Sequence, residues 1–231
     1  MRWKQGWSTF PCLQKMYAWA SGKNGRGLNA YCVLCLGPAQ GSGLCSGCRG
    51  NLPWRSEIVL RTRLRGVEMV IAPFTYAYPL DHLVRDFKFN RDMAALSACA
   101  ELFTETVSAY LHQADLIVPV PLGRGRYRGR AFNQAAMLGG PVAHALGTSM
   151  AADALRRVSE RGVQSKLSPP QRRANIRRAF ELCYNVQDRD VVIVDDVITT
   201  GATVVEIARL LRRGGARRVT VAVLAASPLL N

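Results

Sequence analysis

Acidic residues are scarce in this chain. Sixteen aspartates and glutamates stand against 31 lysines and arginines, a formal net charge of +15, and none precedes Glu57. Long apolar runs are missing too: none reaches the ~18 residues that a membrane helix needs. The basic N-terminus has no signal-peptide core, because "FPCLQKMYAWASGK" interrupts each short apolar run. These absences exclude a membrane span and make a cytoplasmic protein the expectation. Histidine is rare, and His82, His112 and His144 are scattered without a metal-like pair. No GxxxxGK[ST] occurs and no GxGxxG opens a helix after a strand, so a Walker site and a dinucleotide fold are unsupported. No internal repeat is visible.

What is present begins with charge. A positive field draws phosphates, whether of nucleic acid or of a small substrate, and a solvated basic surface carries the same signature. Nearly half the residues are hydrophobic, enough to bury a core in one mid-sized domain with a small appendage. Cys12, Cys99 and Cys183 stand alone, whereas the other four cysteines of the seven form two CxxC pairs. An odd count with that spacing argues against a secreted disulfide framework and for a metal in a reducing compartment. Cys32, Cys35, Cys45 and Cys48 lie in "YCVLCLGPAQGSGLCSGCRGNLP", flanked by turn-forming glycines. Four thiolates on two knuckles suit one tetrahedral structural Zn²⁺; the alternative is a loop of four reduced cysteines. Cys99 falls on an apolar helix face and reads as core.

Three parts follow from the composition. Residues 1–30 lack periodicity and read as a poorly ordered segment, even an overlong start. Residues 31–66 read as a zinc-ribbon-like module with a linker, and 67–231 as the main domain. In the latter, "EMVIAPFTYAY" suggests one strand or two short ones, and "PLDHLVRDFKF" places Leu80, Leu83, Val84 and Phe87 at helical spacing. A longer helix over 93–113 presents Leu96, Cys99, Leu102, Phe103, Val107 and Leu111 on one face. "ADLIVPVPL" is a short buried strand. A helix from about 132 to 146 is expected to break at "GGP", with Pro141 starting a fresh turn. A weak strand near 151–158 precedes a polar, arginine-rich segment, "SERGVQSKLSPPQRRANIRRAF", with the length of an active-site lid. "VVIVDD" is a central strand, 203–214 a helix stopped by Gly214 and Gly215, and "RRVTVAVLAA" a last strand. Strands alternating with helices predict an α/β fold around a parallel sheet.

The chemistry concentrates in "VVIVDDVITTGATVVEIARLL". Ligands of open parallel sheets bind beyond the carboxyl ends of the strands, where Asp195 and Asp196 are expected to end theirs. Two adjacent carboxylates need a counterweight, either sugar hydroxyls that donate to them or a cation. The turn that follows runs into a helix, whose free N–H groups and dipole favour an anion. Thr199, Thr200 and Thr203 add hydroxyls, and Gly201 lets the backbone approach a ligand. Carboxylates for hydroxyls beside donors for phosphate describe a ribose 5-phosphate site. An Asp strand cap with a Thr N-cap is the plainer alternative, and it accounts for one residue of each kind.

"VVIVDDVITTGAT" is similar to the signature of type I phosphoribosyltransferases, which bind 5-phosphoribosyl-1-pyrophosphate (PRPP). Two CxxC pairs, then "VPVPLGRGRYRGRAFNQA" and "QSKLSPPQRRANIRRAF", resemble the ComF/GntX group of competence-associated proteins over roughly residues 31–227. The resemblance implies a type I phosphoribosyltransferase fold, a mostly parallel sheet flanked by helices, with a small N-terminal zinc ribbon. It puts Asp195 and Asp196 on the ribose hydroxyls, as the catalytic pair that orients the sugar and favours positive charge at C1. It puts Thr199, Thr200, Gly201, Ala202 and Thr203 on the 5′-phosphate. It puts Val120, Pro121, Leu122, Arg126, Arg130 and Lys88 at pyrophosphate. Gln164, Arg172 and Asn175 fall in the mobile loop, and Phe132, Asn133 and Gln134 match an FNQ element. Two departures stand out: Ala131 replaces a usual glycine, and "RSEIVLRTRLRG" stands where many members carry further CxxC pairs.

The resemblance implies Mg²⁺ bound with PRPP and transfer of the phosphoribosyl group with release of pyrophosphate. A non-catalytic PRPP or nucleotide sensor, or a DNA-binding accessory protein, is the alternative. Association with DNA uptake makes single-stranded DNA and DNA-processing proteins the expected macromolecular partners. The arginines of "GRGRYRGR" fit pyrophosphate, DNA or water equally.

Overall fold

The computed structural model describes residues 31–39, 43–60, 64–122, 132–158, 179–228 and 230. The segment read as a poorly ordered start lies outside them, as does the expected loop up to its last two residues, Ala179 and Phe180, where Phe180 opens β7; Arg126, Arg130, Ala131, Gln164, Arg172 and Asn175 also lie outside. The strands are β1 (Val59–Leu60), β2 (Met69–Ile71), β3 (Phe74–Thr75), β4 (Leu116–Pro119), β5 (Ser149–Met150), β6 (Leu155–Arg157), β7 (Phe180–Leu182), β8 (Asp190–Ile198) and β9 (Arg218–Ala226). The α-helices are α1 (Ser46–Gly50), α2 (Leu80–Arg85), α3 (Met93–Val107), α4 (Gln134–Leu146) and α5 (Ala202–Arg213). A π-helical turn, Asp86–Asn90, continues α2, and a 3₁₀ turn, Ser108–Tyr110, continues α3.

Seven strands form one sheet in the order β1-β2-β9-β8-β4-β5, with β3 also paired to β9. β2, β3, β4, β5, β8 and β9 pair in parallel, and β1 joins β2 antiparallel. β1 thus brings part of the linker stretch into the main sheet. β6 and β7 form a separate antiparallel pair.

The period-two pattern of β8 explains the layering. Val192 and Val194 face the cluster built by α2, α3 and α4, while Val191 and Ile193 face the cluster that holds Val204, Ile207 and Leu211 of α5. A strand covered on both faces reads as a continuous apolar run, which is what "VVIV" is. All six apolar positions expected on the 93–113 helix are buried, although α3 itself stops at Val107. Asp92 caps it by accepting from the N–H groups of Ala94 and Ala95 at 2.9 and 3.0 Å. Cys99 is wholly buried, and burial followed by the nearby Asp92 pushes its thiol up to about 12.

Two expectations are corrected. α4 does not break at "GGP": Pro141 lies inside a continuous helix whose residues 134–143 are all buried. Losing one helical hydrogen bond at Pro141 is outweighed by packing, and the glycines allow it. A Cβ on Gly139 would lie 3.2 Å from Ile117 Cγ2 and 3.6 Å from Val194 Cβ, so α4 sits directly on β4 and β8. Second, β8 does not end at the aspartates but runs on through them to Ile198, because Asp195, Val197 and Ile198 remain in register with β9.

The start of β8 is pinned at the opposite end of the sheet. The buried Asp190 carboxylate accepts from Arg217 Nε at 2.8 Å and from its terminal nitrogen at 2.7 Å, and it also accepts from Arg218. Its main chain exchanges with Asp115: Asp115 N–H donates to Asp190 O at 2.9 Å, and Asp190 N–H to Asp115 Oδ2 at 2.8 Å. The hydrogen bonds from Arg217 and Arg218 hold the Asp190 carboxyl well below the usual carboxylate range. A depressed folded-state pKa gives stability that is present above the unfolded value of about 4 and is lost as pH falls below it. Asp190→Asn is therefore expected to lower the thermal midpoint at pH 7, and the difference from the parent to shrink by pH 3, in melts followed by circular dichroism.

Candidate functional site

The chain leaves β4 through α4 to β5 on one side, and leaves β8 through α5 to β9 on the other. β4 and β8 are neighbours, so their carboxyl ends flank the topological switch point where open α/β sheets bind ligands. Val120 lies at the end of β4, and its N–H donates to Val194 O at 2.9 Å, one residue before Asp195. Pro121 and Leu122 follow, half-buried. Asn133, the N-cap of α4, donates from Nδ2 to Val120 O at 3.1 Å. The loop after β4 and the start of α4 are thereby linked by hydrogen bonds to β8 just before the acidic pair.

Asp195 and Asp196 are both half-buried. Asp195 Oδ1 accepts from the N–H of Asp196 at 2.9 Å, and Asp196 Oδ1 accepts from the N–H of Val197 at 2.7 Å. The counterweight to the two like charges is partly internal: Lys88 Nζ lies 2.7 Å from Asp196 Oδ2. Lys88 is carried to that point by the π-helical turn after α2. The structure thus sets Lys88 on the acidic pair, whereas the resemblance implied pyrophosphate. Tyr76, just beyond β3, is also near: burial, then Asp81 and Asp196, raise its phenol above the ordinary value.

Thr199 and Thr200 are exposed at the mouth of the turn. Thr200 Oγ1 accepts from Ala202 N–H at a long 3.4 Å. The N-cap of α5 is Gly201, which has no side chain to cap the helix, so apart from the long Thr200 contact the turn presents the positive end of the helix dipole. Thr203 lies in that first turn. Gly201 has φ +73°, which only glycine adopts freely, and a Cβ there would meet Leu64 Cδ2 at 2.8 Å. The sequence suggested close approach of a ligand at Gly201; it is Leu64 that packs there.

Gln134 escaped the sequence-based site. It is buried in the first turn of α4, and among the described residues neither its Oε1 nor its Nε2 has a hydrogen-bond partner. The FNQ element was the only trace of it in the sequence.

The cysteine module is built on two knuckles. Cys32 N–H donates to Gly37 O at 2.7 Å and Leu36 N–H to Cys32 O at 2.8 Å, while Cys45 caps α1 by accepting from Cys48 N–H at 3.4 Å. The four Sγ atoms of Cys32, Cys35, Cys45 and Cys48 all lie within 4.8 Å of one another, and those of Cys35 and Cys45 are 3.7 Å apart. Zn–S bonds of about 2.3 Å in a tetrahedron give S···S edges of about 3.8 Å, so the donor set fits Zn²⁺. Burial raises the Cys32 thiol, but N–H groups of Cys45, Cys35 and Leu34 outweigh it and bring the thiol down to about 6. Burial and its three neighbours push Cys48 up to about 12. The module is docked on the main domain: Cys32, Leu44 and Leu52 join the α2–α4 core cluster, and Arg49 pairs with Glu105 of α3 at 2.7 Å.

Residues 89–229 match the family described as "Phosphoribosyl transferase domain". The DNA utilization protein YhgH of Salmonella typhimurium is 40% identical over 159 residues, 67% of this chain and 70% of that one. Competence protein F of Haemophilus influenzae is 33% identical over 219 residues, 84% of this chain and 95% of that one. A purine phosphoribosyltransferase from Pyrococcus horikoshii aligns in structure over 56% of this chain and 73% of that one, with 20% identity and a TM-score of 0.39. The chain belongs to the phosphoribosyl transferase domain family, in its ComF group, and has the type I phosphoribosyltransferase fold with an N-terminal four-cysteine module. Among the described residues, no helix is long and apolar enough to cross a membrane.

Gly201→Ala is expected to cost about 1–2 kcal/mol, the penalty of a left-handed conformation at a residue with a Cβ, with more from the overlap with Leu64. Urea denaturation measures it. In the double variant Leu64→Ala/Gly201→Ala the two losses should sum to more than the measured total, because the overlap is relieved.

Proposed function

We propose that this protein binds PRPP, or a closely related ribose phosphate, at the switch point between β4 and β8. The observation that carries the reading is the joining of two half-buried carboxylates to an uncapped helix N-terminus within one strand-turn-helix unit. Asp195 and Asp196 accept hydrogen bonds from the ribose 2′- and 3′-hydroxyls. Thr199, Thr200 and Thr203, with the N–H groups at Gly201 and Ala202, hold the 5′-phosphate. Val120, Pro121 and Leu122, joined by Arg126 and Arg130, face the pyrophosphate. By resemblance alone, Gln164, Arg172 and Asn175 take the places of the family's mobile-loop residues.

The carboxylate pair, with oxygens of the ligand, supplies the hard oxygen donors that Mg²⁺ takes. When bound, Mg²⁺ would neutralise charge on the departing pyrophosphate. The chain's own part in a transfer reaction is to orient the ribose and set negative charge near C1. The names of the two relatives, together with a net charge of +15, support a role in DNA utilisation or competence, with single-stranded DNA or its processing proteins as partners. A PRPP sensor without transfer activity uses the same site. Zn²⁺ on Cys32, Cys35, Cys45 and Cys48 is a structural part of the protein.

Calorimetry with PRPP and Mg²⁺ tests the site. Binding is expected for the parent and a loss of at least about tenfold for Asp195→Asn/Asp196→Asn, since each removed charge-assisted hydrogen bond contributes roughly 1.5–3 kcal/mol. Equal binding by the two proteins, or by neither, defeats the assignment. Release of pyrophosphate with a panel of nucleobases then separates a transferase from a sensor. Metal analysis is expected to find about one zinc per chain. Cys45→Ser should lower that content and the thermal midpoint together; a metal-free parent protein would remove zinc from the account.

A further inference from the structure

We infer that Lys88 is a built-in counter-ion that keeps a bare divalent cation off the acidic pair, so that the cation enters only together with an anionic sugar phosphate. The inference rests on the reading of Asp195 and Asp196 as the ribose-phosphate site.

Adjacent carboxylates toward the carboxyl end of β8 offer hard oxygen donors that would by themselves draw a divalent cation. Here one of them is engaged at both oxygens. Asp196 Oδ1 accepts from Val197 N–H at 2.7 Å, and Oδ2 meets Lys88 Nζ at 2.7 Å. This is no solvated surface pair, since the Lys88 and Asp196 side chains are only 17% and 14% exposed. Attraction between the charges is correspondingly less screened than at a surface.

The main chain determines where Lys88 points. Its neighbour Phe87 is fully buried and anchors the turn. Asn90 Nδ2 donates to Asp86 Oδ1 at 2.9 Å, and Asp92 N–H to Asp86 O at 3.3 Å, which closes the turn on the far side. The widened π-helical turn shifts the residues after α2 off the regular helical spacing, a device that recurs at functional sites. Tyr76 lies near enough that burial, then Asp81 and Asp196, oppose ionisation of its phenol. A neutral group cannot replace the charge of Lys88.

The consequence is selective. A bare cation must displace or sit beside an ammonium that gains no new partner. A ligand carrying phosphate oxygens offers Lys88 an equivalent or stronger partner, and the three donors of an ammonium allow it to change partner without losing its ion pairing. Lys88 then joins the pyrophosphate, and Asp196 Oδ2 becomes available to the incoming hydroxyl or cation. The lysine thus has one partner before the ligand arrives and another after.

The probe is Mn²⁺ alone, followed by electron paramagnetic resonance, on the parent protein and on Lys88→Met, Lys88→Gln and Lys88→Arg, all checked for unchanged melting. Without a sugar phosphate, Mn²⁺ is expected to bind Lys88→Met and Lys88→Gln about tenfold or more tighter than the parent or Lys88→Arg, as removal of a unit positive charge beside the site requires. Adding Asp195→Asn/Asp196→Asn to Lys88→Met should abolish the gain, which places it at the acidic pair. Equal Mn²⁺ affinity in parent, Lys88→Met and Lys88→Gln overturns the inference. If the parent binds PRPP with Mg²⁺ in that case, the site reading survives while the counter-ion role falls. A parent that does not bind PRPP at all defeats the site reading and, with it, the sugar-phosphate half of this inference.

Discussion

A strand covered on both faces must place its charged groups at its ends, and β8 is where that constraint shapes the molecule. Val191 to Val194 supply apolar side chains alternately to the two core clusters. Asp190 lies at one end, neutralised by Arg217 and Arg218, and Asp195 and Asp196 lie toward the other. The first acid is satisfied by two guanidinium groups and serves to pin the strand. The second and third are half-buried, each accepts from the backbone N–H that follows it, and Asp196 also meets Lys88. The same strand thus carries a guanidinium-bound acid at its start and a lysine-paired acid near its finish.

Neighbouring elements are arranged around that difference. α4 approaches β4 and β8 closely because Gly139 has no Cβ to strike Ile117, and this carries the start of α4 to the loop after β4. α5 begins directly after the turn with Gly201 as its N-cap, so the positive end of its dipole lies a few residues beyond the acidic pair in the chain. α2 enters from the other core layer and ends in the π-helical turn that delivers Lys88. Three elements from distant parts of the chain therefore meet at one strand end. The cysteine module packs on the same α-helical layer through Cys32, Leu44 and Leu52, and ties the N-terminal region to the domain rather than leaving it on a tether.

Much of the fold was legible because the signals are local. Leu80, Leu83, Val84 and Phe87 repeat at helical spacing and are all buried; "VVIV" and "VTVAVLAA" are central strands. Where expectation and structure part, the cause is tertiary. Pro141 lacks a donor and would break an isolated helix, yet α4 is buried along 134–143 and packing keeps it continuous. β8 passes through two aspartates that have low strand propensity, because pairing with β9 continues to Ile198. The unpartnered amide of Gln134 and the role of Leu64 over Gly201 leave no trace in composition or periodicity.

By itself the sequence determined the apolar periodicity, the two CxxC pairs and the order of acid pair, hydroxyl-rich turn and helix, since each depends on residues close together in the chain. Only the tertiary structure decided that the four thiols converge, that β4 and β8 are neighbours, and that Lys88 reaches across to Asp196 from more than a hundred residues earlier. Those outcomes depend on strand order and helix packing, which no local spacing encodes. The acidic pair is readable from sequence as a candidate site, but the lysine that pairs with Asp196 is supplied by the fold.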